Sequence, residues 1–347
     1  MALTIRAKAP LRISFAGGGT DVPPYPETHG GCVLNATIDS YAWGSLRPRQ
    51  DKRIGIESAD LNLQVEFAVG DELHMDGNLD LAKAALKRLE ATGCNGFDIF
   101  LHSDAPPGSG LGSSSALVVT LVGLVREFRS IALSNYEVAE VAYLIERKDL
   151  KINGGLQDQY AASFGGFNFM EFERDRVIVN PLRVHCGSMN ELEHNLLLCY
   201  TGKTRRSDHI IDDQTARLVS DQRDTVQGLQ AQKELAVAMK NALLTNHLSH
   251  FGDLLDSAWQ AKKKMSDRIS NQQIDELYEE ARKKGALGGK ITGAGGGGFM
   301  MFYCEFERKH KVAEQLRKMG AVTTEFAFDR EGLQTWRNHG ASLAKAV

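Results

Sequence analysis

The sequence predicts an α+β fold in two domains, and three observations carry that expectation. The chain has 347 residues, more than one hydrophobic core usually serves at ~150 residues per domain. Its first half mixes strand periods with helical ones. Its end runs helix, strand, helix, strand, the order of a small domain with antiparallel pairing. A soft boundary is expected at 180–195, giving domains 1–185 and 186–347.

In chain order, Leu61, Leu63, Val65, Phe67 and Val69 alternate with polar or small residues, the period-two mark of a half-buried strand. Residues 97–101 read as a second strand running into Ala105-Pro106-Pro107-Gly108. The stretch 113–128, with Leu117, Val118, Leu121, Val122, Leu124 and Val125, is apolar on nearly every side, as a buried helix is. Ser134-Asn135-Tyr136-Glu137 has capping-box spacing and opens a helix to about residue 149. Residues 196–200 read as a strand before a basic loop, and polar helical sequence runs from 208 into the 260s. The end reads as helix 273–284, glycine-rich strand 290–304, helix 308–319 and strand 322–328.

Composition narrows the function. Lys and Arg number 41 against 44 Asp and Glu, a net charge of −3, so a nucleic-acid backbone or an anionic membrane is not the expected partner. The longest nearly apolar stretch, 116–125, is far short of the ~20 residues of a bilayer span. No apolar region follows the N-terminal charges, so no secretory signal is expected. Cys32, Cys94, Cys186, Cys199 and Cys304 form no CxxC pair, a pattern that suits reduced thiols in a cytoplasm. His29, His185 and His194 lack metal-ligand spacing. Glycine is enriched, at 34 residues where ~7% of a chain is usual.

The most informative glycine segment is Pro106-Pro107-Gly108-Ser109-Gly110-Leu111-Gly112-Ser113-Ser114-Ser115-Ala116. Its glycines let the backbone take positive φ and turn N–H groups toward one point. The helix behind it adds unpaired N–H groups and a positive dipole end, so the segment is built for phosphate oxygens. The serines add hydroxyls for phosphate or for Mg²⁺. The other reading is a plain glycine turn into a core helix. It matches neither GxxxxGK[ST] nor GxGxxG, which excludes the common P-loop and Rossmann patterns. Two more glycine segments accompany it: Ala9-Pro10-Leu11-Arg12-Ile13-Ser14-Phe15-Ala16-Gly17-Gly18-Gly19-Thr20-Asp21, and Lys290-Ile291-Thr292-Gly293-Ala294-Gly295-Gly296-Gly297-Gly298.

In this order and spacing the three segments resemble those of the GHMP kinases, the group named for galactokinase, homoserine kinase, mevalonate kinase and phosphomevalonate kinase. The middle motif PxxxGLGSSxA matches 106–116 and the late motif KxTGAGxGG matches 290–298. The resemblance covers roughly residues 5–330. The first motif, PLRxxxAGGGTD, is most similar to the sugar-1-kinase branch, which includes heptose 7-phosphate kinases and bacterial fucokinase-like domains. Galactokinases carry Glu-His where this chain has Gly18-Gly19. The resemblance implies two α+β domains with the active site in the cleft between them. It implies ATP and Mg²⁺ as cofactors, and phosphorylation of the anomeric hydroxyl of a sugar. The substrate it favours is D-glycero-D-manno-heptose 7-phosphate, giving the 1,7-bisphosphate for surface-polysaccharide synthesis. Fucose or another hexose is the alternative acceptor. A non-catalytic sugar and ATP sensor, or an ATP-dependent decarboxylase, are the rivals from other classes. Homo-oligomerisation is left open.

Site roles follow residue by residue. The resemblance places ATP phosphates on residues 107–115. Gly155-Leu156-Gln157-Asp158 matches the segment of the catalytic aspartate, and Ser114 and Glu146 match the Mg²⁺ ligands. Arg12 falls where relatives have a basic residue near the transferred phosphate. Asp21 matches a carboxylate that grips sugar hydroxyls, and Gly18, Gly19, Thr20, Gly295 and Gly296 are assigned with it to the substrate. Each has a bland alternative. Asp158 suits a helix N-terminus as well as a general base, and Glu146 suits solvent. Arg12 suits an exposed strand as well as phosphate oxygens, and Asp21 suits an Asx turn. Lys203, Arg205 and Arg206 form either a solvated face or a grip for a substrate's distal phosphate.

Overall fold

A computed structural model describes residues 3–93, 95–202 and 208–339. Two sheets organise the chain. The first is built on β1 (Leu3–Ala16) and β2 (Gly31–Pro48), which form a long antiparallel pair. It also holds β3 (Arg53–Ser58), β4 (Leu63–Ala68), β5 (Phe97–Ser103), β6 (Phe167–Phe172) and β7 (Val177–Pro181). Strand β2 is long enough to serve two further partners besides β1: its start pairs with β6 and its end with β5. Among the described residues only β3 and β5 run parallel in this sheet. The second sheet comprises β8 (Leu196–Tyr200), β9 (Ala286–Ile291), β10 (Phe299–Cys304) and β11 (Val322–Thr324), all antiparallel.

Helices cover and join the sheets. In chain order they are α1 (Tyr25–His29), α2 (Asp80–Arg88), α3 (Ser113–Arg129), α4 (Asn135–Leu144), α5 (Gln157–Phe164) and α6 (Cys186–Asn195). There follow α7 (Asp208–Val219), α8 (Arg223–Leu244), α9 (Leu248–Lys263), α10 (Gln272–Lys284) and α11 (Lys309–Lys318). Helix α3 is the keystone. Val118, Leu121, Val122, Leu124 and Val125 are fully buried, each worth ~1.5–3 kcal/mol, and the helix packs on β1 and β2. Helix α9 touches β1 of the first sheet and β9 and β10 of the second, so it lies along the seam. The apolar core is continuous there, reaching from Phe15 to Phe251 and Met301.

The expected elements appear with three differences. The capping box at Ser134 and Glu137 forms, but the helix ends at Leu144 and continues as a π-helical turn, Ile145–Asp149. The glycine-rich strand is two strands, because Gly295, Gly296, Gly297 and Gly298 all have positive φ, which a strand cannot hold. The last expected strand shortens to β11. Strand β12 (Gln334–His339) then returns to pair with β1, so the last described strand lies in the same sheet as the first. No helix among the described residues is long and apolar enough to cross a membrane.

Candidate active site

A cleft of about 730 Å³ opens where the sheets meet, lined by the ends of β1 and β9, the start of α3, the π turn and the start of α5. Glycine shapes its floor. Gly108, Gly110 and Gly112 take φ of +74°, +84° and +76°, and Gly112 caps α3 with no side-chain hydrogen bond. The first N–H groups of α3 have no intrahelical acceptor, so the loop offers donors to the cleft. A Cβ on Gly293 would stand 2.6 Å from Gly110 Cα; the first and last thirds of the chain meet there only because both residues lack side chains.

Arg12 ties the loop to α5. Its Nε donates to Asp158 Oδ1 at 2.7 Å, its Nη2 stands in ion-pair contact with the same oxygen at 2.7 Å, and its Nη1 donates to the Gly110 carbonyl at 2.7 Å. Arg12 is 5% exposed, which removes the exposed-strand alternative. Asp158 sits in the first turn of α5 and also faces the cleft, so its two readings coexist. Gly112 lies against it, a Cβ there being 3.4 Å from Asp158 Cγ.

Glu146 is buried rather than solvated. Ser114 Oγ donates to its Oε1 at 2.9 Å and Ser115 Oγ to its Oε2 at 2.7 Å, with Gln159 Nε2 donating to Oε2 as well. Ser114 itself is exposed to the cleft. A carboxylate and a hydroxyl at the edge of the glycine loop form an oxygen-only donor set, which fits Mg²⁺ shared with phosphates and water. Among the described residues no three His, Cys, Asp or Glu cluster as a metal site, so the protein would supply few of the ligands.

Asp21 is buried beside the start of α5, accepting from the Gln157 N–H at 3.1 Å and the Gly19 N–H at 3.0 Å. Burial pushes its carboxyl above the ordinary value, those amides oppose the rise, and the Asp158 charge adds to it. Two buried lysines that the sequence did not single out as site residues stand nearby. Burial drives Lys262 down to about 8, with Asp21 opposing and Arg12 assisting. Lys290 donates to the Ser14 carbonyl at 2.7 Å, and burial, Lys262 and Arg12 hold it well below the usual lysine range. Lys290 begins the late glycine motif, a usable signal. Lys262 lies in Lys262-Lys263-Lys264, a run that reads as a solvated face.

Of the remaining expected residues, Pro107, Ser113, Gly18 and Gly19 line the cleft. Five do not. Ser109 is buried with its carbonyl accepting from Phe299 N–H, and the Leu111 carbonyl accepts from Arg12 N–H. The Thr20 hydroxyl lies 2.8 Å from the Gly17 carbonyl and accepts from the Cys32 N–H at 3.0 Å, which makes it a turn brace. Gly295 and Gly296 pack on Ile269, whose carbonyl accepts the Gly296 N–H at 2.8 Å; Gly293 takes the place at the cleft. Lys203, Arg205 and Arg206 lie outside the described residues.

Comparison with known proteins agrees with this geometry. The model of the GHMP kinases N terminal domain matches residues 80–166 and that of the GHMP kinases C terminal domain matches 238–322. The chain is 40% identical, over 96% of its own length and 99% of the relative's, to a D-glycero-alpha-D-manno-heptose 7-phosphate kinase of Campylobacter jejuni. The chain is a GHMP kinase. A solved relative, described as a D-glycero-D-manno-heptose 1-phosphate kinase from Bacteroides thetaiotaomicron, superposes on this GHMP kinase with a TM-score of 0.82 at 36% identity, covering 97% of this chain and all of that one. An L-fucokinase/L-fucose-1-P guanylyltransferase of Bacteroides fragilis is 29% identical over 90% of this chain and 35% of its own. The expected family and α+β kinase fold are thereby established, and with them an ATP-dependent sugar kinase.

Proposed function

We propose that this kinase transfers the γ-phosphoryl group of ATP to the anomeric hydroxyl of D-glycero-D-manno-heptose 7-phosphate, giving the 1,7-bisphosphate. The observation that carries the reading is the Arg12–Asp158 pair at the mouth of the glycine loop, where an acceptor hydroxyl and a terminal phosphate would meet. The substrate choice is supported by the 40% identity to the Campylobacter heptose 7-phosphate kinase.

Phosphoryl transfer asks mainly for positioning and for charge stabilisation. Asp158 orients the acceptor hydroxyl and takes its proton, a role worth ~10²–10⁴ in rate. Arg12 holds that carboxylate in place, and its remaining N–H groups lie beside the loop where charge on the moving phosphoryl group is to be stabilised. The N–H groups of 110–115 cradle the nucleotide phosphates. Ser114 and Glu146 would hold Mg²⁺, which supplies charge neutralisation on the phosphates when bound. Asp21 accepts hydrogen bonds from sugar hydroxyls.

The bifunctional fucokinase relative keeps one second reading alive, a 1-kinase for an unphosphorylated 6-deoxyhexose. A turnover panel separates them. Release of ADP with the heptose 7-phosphate at higher kcat/KM than with fucose, and a new anomeric phosphate in the ³¹P spectrum of the product, is the expected result. Preference for fucose, or a phosphate added elsewhere on the heptose, would refute the proposal.

A further inference from the structure

The three glycines at 17–19 are not equivalent. Gly17 has φ +87° and a Cβ there would stand 1.9 Å from the Cys32 carbonyl; Gly19 has φ +104° and a Cβ would lie 2.5 Å from Met265 Cε. Backbone and packing therefore require glycine at both. Gly18 is outside the left-handed region, and a Cβ on it would meet nothing nearer than 3.6 Å. The space beside Gly18 belongs to the cleft.

Three polar groups frame that space. Ser14 Oγ lies 3.6 Å, Gln157 Nε2 3.7 Å and Lys262 Nζ 4.0 Å from the point a Cβ would occupy. The three residues are 2%, 9% and 4% exposed. Ser14 Oγ and Gln157 Oε1 have no hydrogen-bond partner among the described residues, and the Lys262 ammonium makes no hydrogen bond or ion pair with any of them. Buried polar groups are ordinarily satisfied. Here several are left open around one glycine that the fold does not need.

We propose that this niche is a subsite for the acceptor-sugar hydroxyl adjacent to the one phosphorylated, with Lys262, Ser14 and Gln157 as its specificity-determining residues. The inference rests on the sugar-kinase reading above. The mixture of groups selects a neutral hydroxyl. An ammonium and an amide N–H₂ offer protons to an acceptor, the Ser14 hydroxyl gives or takes, and the unpartnered Gln157 Oε1 and the Asp21 carboxylate behind the amide, with Gln157 Nε2 3.5 Å from its Oδ1, only accept. A hydroxyl both accepts and donates. A phosphate only accepts, and would face the Asp21 carboxylate. Gln157 and Asp158 are consecutive at the start of α5 and both line the cleft, which favours a hydroxyl close to the reacting one; with the anomeric hydroxyl reacting, that neighbour is the 2-hydroxyl.

The test uses Gly18→Ala and Lys262→Met in the full chain, assayed with whichever sugar the wild type turns over best. The methyl of Gly18→Ala meets only ordinary contacts, so folding and KM for ATP should hold while kcat/KM for the sugar falls about tenfold or more. In Lys262→Met, kcat/KM should fall to a similar degree on a phosphorylated sugar and on its unphosphorylated counterpart. The 2-deoxy sugar should cost the wild type about tenfold and the Lys262→Met enzyme much less. Unchanged sugar kcat/KM in Gly18→Ala overturns the proposal, as does a Lys262→Met loss confined to the phosphorylated sugar or an undiminished 2-deoxy penalty. If Lys262→Met does not fold, Gly18→Ala decides alone. Failure of the heptose 7-phosphate to react would refute the substrate reading and leave this test intact.

Discussion

Replacing Asp158 with Asn probes the reacting centre with the smallest change of shape. The Asn oxygen still accepts from Arg12 Nε, and Arg12 keeps its 2.7 Å bond to the Gly110 carbonyl. What is lost is the charge beside a guanidinium whose side chain is 6% exposed, and the base. Stranding a charge by breaking a fully buried pair costs ~3–5 kcal/mol. Asp158 is 21% exposed, so solvent offsets part of this and about 1–2 kcal/mol of stability should go. Loss of the base should lower kcat by ~10²–10⁴, or about 3–5 kcal/mol of transition-state stabilisation. An ADP-release assay under saturating ATP and sugar measures the first effect, and calorimetric ATP titration shows whether the loop survives. Nucleotide affinity should hold. A variant that keeps kcat within a few-fold of wild type would remove Asp158 from the chemistry and return it to the role of a helix N-terminal carboxylate.

Three further outcomes are expected. Ser114→Ala should raise the Mg²⁺ concentration for half-maximal rate with little change in Tm. Ser115→Ala, which removes a buried donor to Glu146, should cost ~1–3 kcal/mol of stability; equal behaviour of the two in both assays would contradict the division. Gly155→Ala would put a Cβ 1.9 Å from Asp21 Oδ2, costing ~1–3 kcal/mol as overpacking and raising the sugar KM; a normal sugar KM would show that Asp21 does not hold the acceptor. The folded pKa of Lys262, about 8, lies below its usual 10.5, so between those values the unfolded chain binds the extra proton. Stability should therefore rise with pH across that window, less steeply in Lys262→Met, as denaturant titrations at several pH values would show; identical slopes would contradict the burial of its charge.

Local signals were read well where local chemistry decides structure. The buried helix after Gly112 and the Ser134 capping box needed only neighbouring residues. Over 290–304 the residue pattern alone does not distinguish one strand from two joined by a turn of positive-φ glycines. Strand β12 pairs with residues more than three hundred positions away, and nothing in its own sequence names that partner. The motifs point to the phosphate loop, Arg12, Asp21, Glu146 and Asp158, and the structure brings these to one cleft. The burial of Glu146 and Asp21 was not legible, since it depends on Ser114, Ser115 and Gln159 closing on Glu146 and on the start of α5 meeting Asp21. Lys262 was missed for the same reason: one lysine of three turns inward, and only the packing of α9 at the seam decides which. Gly295 and Gly296 were assigned by motif to the substrate, yet their φ values serve the turn against Ile269.

The most direct measurement is a crystal structure of the protein with a non-hydrolysable ATP analogue, Mg²⁺ and the sugar phosphate. The loop from Gly110 to Ser115 should hold the β- and γ-phosphates through backbone N–H groups at ~2.9 Å, with the acceptor hydroxyl against Asp158. A triphosphate seated elsewhere, leaving that loop's amides to water, would contradict the account.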